Sequence, residues 1–245
     1  MGEHRTMRGR YDLSEVADRI STHFGVMSVP GFDPSDDMRP TQDLPIIRQI
    51  YASDAQAADP LARECVLARW GLVPPWAKDT RFGLRCINAR AETVDRLPAF
   101  RVAYRHRRCL IPVNAFFEWS GALAHPARWR ISMTDGRLFA LGGLWERWVD
   151  RATQATLDSF TIVTCKANAA ISAVHGRMPV IVGPEHYETW LDARRNPRAL
   201  LTPFEGAPLR ITQMQRPDPS DGGSPGDPPS VDPTRTEPRI AAAAA

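Results

Sequence analysis

Short apolar runs separated by polar, Gly- and Pro-bearing turns dominate this chain. Ile46–Tyr51, Cys65–Trp70, Leu84–Asn88, Cys109–Pro112, Ala115–Trp119, Trp129–Met133, Leu138–Leu141 and Phe160–Cys165 each have the length and side-chain content of a strand. Helical spacing is rarer. Val16, Ile20 and Phe24 recur four residues apart, with Ser14 as the expected N-cap. A last helix is expected after Pro184, with Tyr187, Trp190 and Leu191 on one side. The Gly-, Pro- and Asp-rich stretch 30–45 reads as a long loop. Many short strands with few helices predict an α+β fold that is mostly β.

From about Pro217 the pattern stops. Pro, Gly, Ser and Asp take over, large apolar residues nearly vanish, and the chain closes in five alanines. Such a segment cannot bury enough surface to offset its ordering entropy, so 213–245 is expected to be a disordered tail behind a domain spanning 7–212. With 245 residues, 43% of them hydrophobic, the rest can form one domain with a real core. No apolar run is long enough to span a bilayer, so a cytoplasmic monomer without a membrane partner is expected. Four scattered cysteines, Cys65, Cys86, Cys109 and Cys165, lack zinc-ligand spacing, and no metal or other cofactor is expected.

The formal charge of +3 is too small to identify a partner. Its make-up says more, because Lys78 and Lys166 are the only lysines. Arginine's planar fork suits phosphates and stacks on bases, although a codon bias toward arginine would produce the same composition.

Three polar residues stand out beside apolar runs. If Ala115–Trp119 is a strand, Phe116 and Glu118 share one face while Phe117 and Trp119 share the other. Glu118 is then either an edge-strand carboxylate facing water or a buried one tuned for proton transfer. His175 can shuttle protons near neutral pH or can be purely structural. Asn88, at the end of a strand-like run, can orient a substrate oxygen or simply form a turn.

Several longer segments, in order, resemble one family. Met7-Arg8-Gly9-Arg10-Tyr11 stands at the front, then Trp70-Gly71-Leu72-Val73-Pro74-Pro75-Trp76-Ala77-Lys78, Ile87-Asn88-Ala89-Arg90-Ala91-Glu92-Thr93 and Arg108-Cys109-Leu110-Ile111-Pro112. Phe116-Phe117-Glu118-Trp119, Gly143-Leu144-Trp145-Glu146, Thr161-Ile162-Val163-Thr164 and Val174-His175-Gly176-Arg177-Met178-Pro179 follow. From Met7 to about Leu191 the chain is similar to the SOS response-associated peptidase (SRAP) family of abasic-site processing proteins. The resemblance implies a curved, barrel-like sheet core with a few surrounding helices. It also implies a single-stranded DNA partner containing abasic sites. In that family an N-terminal cysteine attacks the ring-opened aldehyde: its α-amine forms an imine, and its thiol then closes a thiazolidine. By position, Asn88, Glu118 and His175 match the polar residues around that linkage. Arg10, Arg90 and Arg177 match arginines that hold the DNA backbone; Thr164 falls among the DNA-binding positions, and Trp76 in a loop that wedges against bases.

The departures are as informative as the matches. The family's front motif reads Met-Cys-Gly-Arg, and here the cysteine position is Arg8. An α-amine with pKa near 7.7 is about one-third neutral at pH 7.4, whereas a lysine offers about a thousandth. A guanidinium is always charged and is no nucleophile. Cys86 would share a strand face with Asn88, but it has no free α-amine and is expected to pack in the core. Asp37 stands where the family carries asparagine, and the family's C-terminal motif is not recognisable after Ile211-Thr212. The expected function is therefore abasic-site and single-strand DNA binding without the crosslink. Its rivals are an imine-forming lyase or peptidase using Glu118 and His175, and an inactive remnant.

Overall fold

The computed structural model describes residues 9–50, 62–121 and 127–214. Met7, Arg8 and the expected tail beyond Met214 lie outside the described residues. Among the described residues the fold is α+β and mostly β, with no helix long and apolar enough to cross a membrane.

One sheet is five-stranded and wholly antiparallel. It runs in the order β13 (Leu209–Met214), β8 (Ala127–Met133), β7 (Ala115–Ser120), β1 (Tyr11–Leu13), β2 (Ser35–Met38). The larger sheet contains a closed ring. In it β10 (Thr156–Lys166) pairs with β4 (Arg63–Trp70), β4 with β3 (Asp43–Gln49), β3 with β6 (Arg108–Val113), β6 with β9 (Phe139–Val149), and β9 again with β10. The barrel-like core implied by the family resemblance is this five-stranded ring. Around it, β5 (Asn88–Arg90) and β11 (Arg177–Pro179) pair with β10, and β12 (Ile181–Val182) with β9.

The ring interior explains the sequence pattern. All six residues of β6 are buried, and so are seven consecutive residues of β10, as expected for strands covered on both faces. Trp70 anchors the ring's opening toward β1. Its ring stacks near Phe160 and tilts against Tyr11, and its indole N–H donates to the Ile87 carbonyl at 2.9 Å. Gly9 passes directly over that indole, where a Cβ would sit 2.7 Å from the ring, so the chain can enter β1 only with a glycine there.

The helices are short. α1 (Ala17–Phe24) and α2 (Arg101–His106) flank the sheets, α3 (Ala169–Ser172) precedes β11, and α4 (Tyr187–Leu191) follows a 3₁₀ turn at Pro184–His186. Tyr187, Trp190 and Leu191 of α4 are buried, as their spacing predicted. Buried Arg108 joins two helix ends: its guanidinium donates to the carbonyls of Tyr104, Trp190 and Asp192 and, at 3.0 Å, of Arg195. The carbonyls of Tyr104, Trp190 and Asp192 are ones that a helix C-terminus leaves without partners.

Three expectations about elements are overturned. Ser14 does not cap α1; Val16 does, without a side-chain bond, because the Ser14 hydroxyl donates instead to Asp12 at 2.8 Å. The stretch 30–45 is not all loop, since it holds β2 and the start of β3. Pro45 is tolerated because β3 pairs with β6 only at Ile47 and Arg48, so its missing N–H lies where β3 has β4 alone beside it. Leu84–Asn88 is not a strand. Thr80–Arg85 is a 3₁₀ helix begun by the Asp79 carboxylate, which accepts from the Arg81 amide, and the strand begins only at Asn88.

That 3₁₀ helix rests on a backbone contact. Gly71 sits at φ 127°, and Gly83 packs so tightly on it that an added Cβ would lie 2.4 Å from the Gly71 carbonyl oxygen. Gly83→Ala is therefore expected to cost about 1–3 kcal/mol, the range for overpacking. The melting temperature should fall by about 2–4 °C per kcal/mol in a chain of this size. An unchanged melting temperature by calorimetry would mean the two backbones have room to separate.

Candidate functional site

A narrow pocket opens between the two sheets. Gly9 and Tyr11 from the start of the chain, Asn88 of β5, Phe116 and Glu118 of β7, and Pro179 of β11 line it over the Trp70 ring. Strand alternation in β7 puts Phe116 and Glu118 on one face at the pocket, with Phe117 and Arg10 also at its edge. Of the two readings of Glu118, the structure selects the buried one, at 3% exposure.

His175 joins Glu118 from the other side. Asn168 caps α3 by accepting from the Ile171 amide at 3.0 Å and ties the helix to Phe204 through its own amide. The His175 N–H then donates to the Ile171 carbonyl, which ends the helix and turns the imidazole inward. Its Nδ1 lies 3.5 Å from Glu118 Oε2 and is also within reach of the Arg177 backbone, 3.2 Å from the amide and 3.0 Å from the carbonyl. A neutral Nδ1 accepts from that amide, and a protonated one donates to the carbonyl or to Glu118. The pair is placed to pass a proton. Asn88 makes no side-chain hydrogen bond among the described residues, which leaves its amide available to a substrate oxygen in the pocket.

The three arginines singled out in the sequence differ sharply. Arg90 is exposed beside Asn88 and makes no close ion pair among the described residues, although its charge is felt by Glu92. Arg177 is clamped: it donates twice to Glu92 at 2.9 Å and once to the Thr164 carbonyl at 2.7 Å. Thr164 is buried, and its hydroxyl accepts from the same guanidinium at 3.3 Å, so it holds Arg177 rather than facing outward. Arg10 donates to both oxygens of Asp37, at 2.7 and 2.8 Å. Arg39 also bonds Asp37. Partial burial pushes the Asp37 carboxyl up, but the bonds from Arg39 and Arg10 outweigh it and hold the pKa below the ordinary aspartate value.

Trp76 lies apart from the pocket, half exposed, and packs edge-on against Phe82 at 5.0 Å. Beside it a surface cleft is lined by Lys78, Arg81, Leu84 and Arg85. Cys86 does not reach the pocket as a reactive group. It is buried, and burial pushes its thiol up to about 11. Burial likewise raises Cys165 to about 11 and Cys65 to about 12, and it raises Cys109 further, so all four thiols are protonated at neutral pH. Among the described residues no group of three or more His, Cys, Asp or Glu is placed to hold a metal. Sequence reasoning missed the carboxylate partners Asp37 and Glu92. Glu92 stood inside a quoted motif, but nothing in its neighbourhood pointed to Arg177, 85 positions away.

Residues 7–217 match the family model described as SOS response associated peptidase (SRAP). This chain belongs to that family. Among relatives, it is 32% identical over 213 residues to abasic site processing protein YoaM of Bacillus subtilis, covering 85% of this chain and 91% of that protein. It is 27% identical over 192 residues to abasic site processing protein HMCES of Pongo abelii, covering 65% of this chain and 53% of that one. The SRAP fold recurs in a solved protein from Bacteroides thetaiotaomicron, with a TM-score of 0.74 at 24% identity over 84% of this chain and 91% of that one. A protein from Bordetella bronchiseptica has a TM-score of 0.71 at 25% identity, covering 85% and 100%.

The Arg177–Glu92 clamp has a pH signature. The hydrogen bond from Arg177 holds the Glu92 carboxyl below its ordinary value of 4.5. A depressed carboxylate contributes stability above its unfolded pKa and loses it as pH falls through the folded one. Comparing wild type with Glu92→Gln by thermal melting, the small advantage of wild type should be constant from about pH 7 to pH 5 and shrink below about pH 4.5. A difference that persists unchanged at the lowest pH would show that the pair is not what Glu92 contributes.

Proposed function

We propose that this protein binds single-stranded DNA at abasic sites in the cytoplasm, without forming the covalent crosslink of its family's chemistry. The observation that carries the reading is the pocket that Asn88 and Glu118 line together with Gly9, the residue bonded to Arg8, with His175 3.5 Å from Glu118 behind it. An abasic aldehyde seated there meets an amide for its oxygen and a carboxylate–imidazole pair for proton transfer. It meets no thiol: residue 8 is arginine, and Cys86 is buried and protonated. Without a neighbouring thiol, an amine and an aldehyde go no further than a reversible imine and water.

The named relatives are abasic site processing proteins, which supports the substrate class. Arg90 is positioned for a phosphate, and half-exposed Trp76 offers a ring for base stacking. Arg177, held by Glu92 and Thr164, is fixed in orientation before DNA arrives, so less side-chain entropy is lost on contact. A second reading, strand cleavage through an imine, takes its support from the Glu118–His175 approach.

Incubation with an abasic single-stranded oligonucleotide, resolved on a denaturing gel, separates these. The expectation is no heat-stable shifted band. A heat-resistant band that survives replacement of all four cysteines would overturn the chemistry, and a shortened oligonucleotide would favour cleavage. Removing residues 1–6 and replacing Arg8 by cysteine should restore the crosslink, because positioned reactants gain many orders of magnitude over free ones. In that background Glu118→Gln or His175→Ala should slow it.

Binding itself should be electrostatic, with a log–log salt slope of about −0.7 per phosphate contact. Arg90→Ala should flatten the slope by close to one contact. Trp76→Ala should weaken binding by about 1–3 kcal/mol with little change in slope. A salt-independent isotherm, or no binding at low salt, would favour the inactive-remnant reading instead.

A further inference from the structure

The other face of the five-stranded sheet, whose Arg10 and Phe117 also reach the edge of the pocket, has its own chemistry. Opposite Phe116 and Glu118, β7 presents Phe117 and Trp119. Their register partners on β8 are Arg130 and Arg128, and the next strand places Thr212 and Met214 beside those. Arg210 of β13 shares this face through its pairing with Ser132. On the other side Arg10, at the start of β1, and Arg39, just past β2, complete the row. Two carboxylates answer these five arginines. Asp12 takes Arg130 at 2.6 Å, and Asp37 is shared by Arg10, Arg39 and, at 3.6 Å, Arg128.

Arg128 is the informative member. Its guanidinium lies flat over Phe117 at 3.8 Å, with the Trp119 ring at 5.9 Å. Stacking fixes the plane of the fork while leaving its N–H edge free to donate. Its Nε is buried without an acceptor among the described residues, while its outer Nη2, on a side chain 35% exposed, reaches Asp37 only at 3.6 Å, too long to be a hydrogen bond. Three guanidiniums around one carboxylate leave a local surplus of positive charge and unmatched donors, which a phosphate oxygen would satisfy. Trp119 is partly exposed beside them and presents a π-face.

We propose that this sheet face is a second track for single-stranded DNA, carrying the backbone onward from the lesion pocket over Arg10, Arg128 and Arg210, with Asp37 competing for the same guanidiniums. The proposal rests on the DNA-binding reading above. Continuity supports it, because the residue that lines the pocket and the residue that opens the arginine row are the same, Arg10. Interleaved arginines and aromatics are the composition of a single-strand platform.

The test uses the full chain and two abasic oligonucleotides. One is just long enough to fill the pocket, and the other extends about 10 nucleotides past it on each side, within the reach of a single-strand platform. Arg128→Gln combined with Arg210→Gln should leave affinity for the short oligonucleotide within about twofold and weaken the long one about tenfold. The salt slope for the long one should flatten by about 1.4, two contacts at 0.7 each. Asp37→Asn should act in the opposite sense, strengthening the long oligonucleotide several-fold, and this gain cannot arise from misfolding. Arg90→Ala serves as the pocket control and should weaken both lengths. If the folded double variant binds the long oligonucleotide with unchanged affinity and slope, the track does not exist while the pocket reading stands. Equal weakening of both lengths would overturn the track as well, by placing these arginines in the pocket's own contacts. Tighter binding of poly-glutamate than of the long oligonucleotide would assign the face to an acidic protein segment and overturn it. Wild type that binds neither oligonucleotide defeats both readings together.

Discussion

The molecule depends on how one strand shares its backbone hydrogen bonds. β10 closes the barrel by pairing with β4 and β9 through its first half, then exchanges both neighbours. At Phe160 it still pairs with Trp70, but by Ile162 it faces Asn88; on its other edge β9 ends at Ile162 and β11 begins at Thr164. Buried amides and carbonyls cannot be left without partners, so each departing strand must be replaced at once. Gly71 donates to the Phe160 carbonyl just as β4 leaves, and the Ile162 amide reaches the Ile87 carbonyl as β5 arrives. The chain between must therefore bulge outward and return. That excursion carries Trp76, and the corresponding one before β11 carries His175. Asn88 and the His175 turn reach the site where the barrel changes hands, because departing strands must be replaced there, while Glu118 comes to it from the other sheet.

Charge is organised on the same principle of fixed partners. Arg48, buried, is bonded to Glu64 at 2.7 Å and to Asp158 at 3.1 Å, and lies 4.2 Å over the Trp145 ring. Arg177 with Glu92 and Arg10 with Asp37 repeat the device at the site's rim, where exposure makes each pair worth less to stability. What these rim pairs provide is orientation. A free arginine loses considerable rotamer entropy when it grips a phosphate; one already held by a carboxylate has lost it on folding. On the proposed DNA-binding reading the cost is competition, since the holding carboxylate and an incoming phosphate want the same donors. Arg90, with no close ion pair among the described residues and only a longer-range interaction with Glu92, sits at the opposite extreme beside Asn88.

How far the sequence revealed this varied with the physics of each element. Of the strands covered on both faces, β6 showed from Cys109 on as an apolar run, and β10 as one interrupted by Thr161 and Thr164. β13 was invisible, because it is an edge strand with exposed Arg210, Thr212, Gln213 and Met214, and its pairing with β8 leaves no apolar signature. β2 was hidden by Asp36 and Asp37, and the run Leu84–Asn88 imitated a strand through apolar Leu84, Cys86 and Ile87, although Leu84 and Arg85 close the 3₁₀ turn. At the site, alternation in β7 correctly put Phe116 and Glu118 on one face, but which face met the pocket needed the fold. The ion pairs were out of reach: Arg10 and Asp37 are 27 positions apart, and local pattern says nothing about contacts at that range.

On the proposed reading, the missing thiol can be considered apart from this architecture. Asn88 is held by the β10 register, Glu118 by pairing opposite Trp129 in β7–β8, and His175 by the Ile171 carbonyl that ends α3. None of these supports passes through residue 8. Gly9 is required by the Trp70 ring beneath it, whatever precedes it in the chain. The reacting group and the frame around it are therefore separable in a way that, say, Glu118 and the β7 strand are not: a polar residue projecting from a strand shares that strand's packing, whereas residue 8 precedes the first strand. A change of chemistry there leaves the interactions that shape the pocket intact, and the pocket continues to present its amide, carboxylate and imidazole to whatever enters.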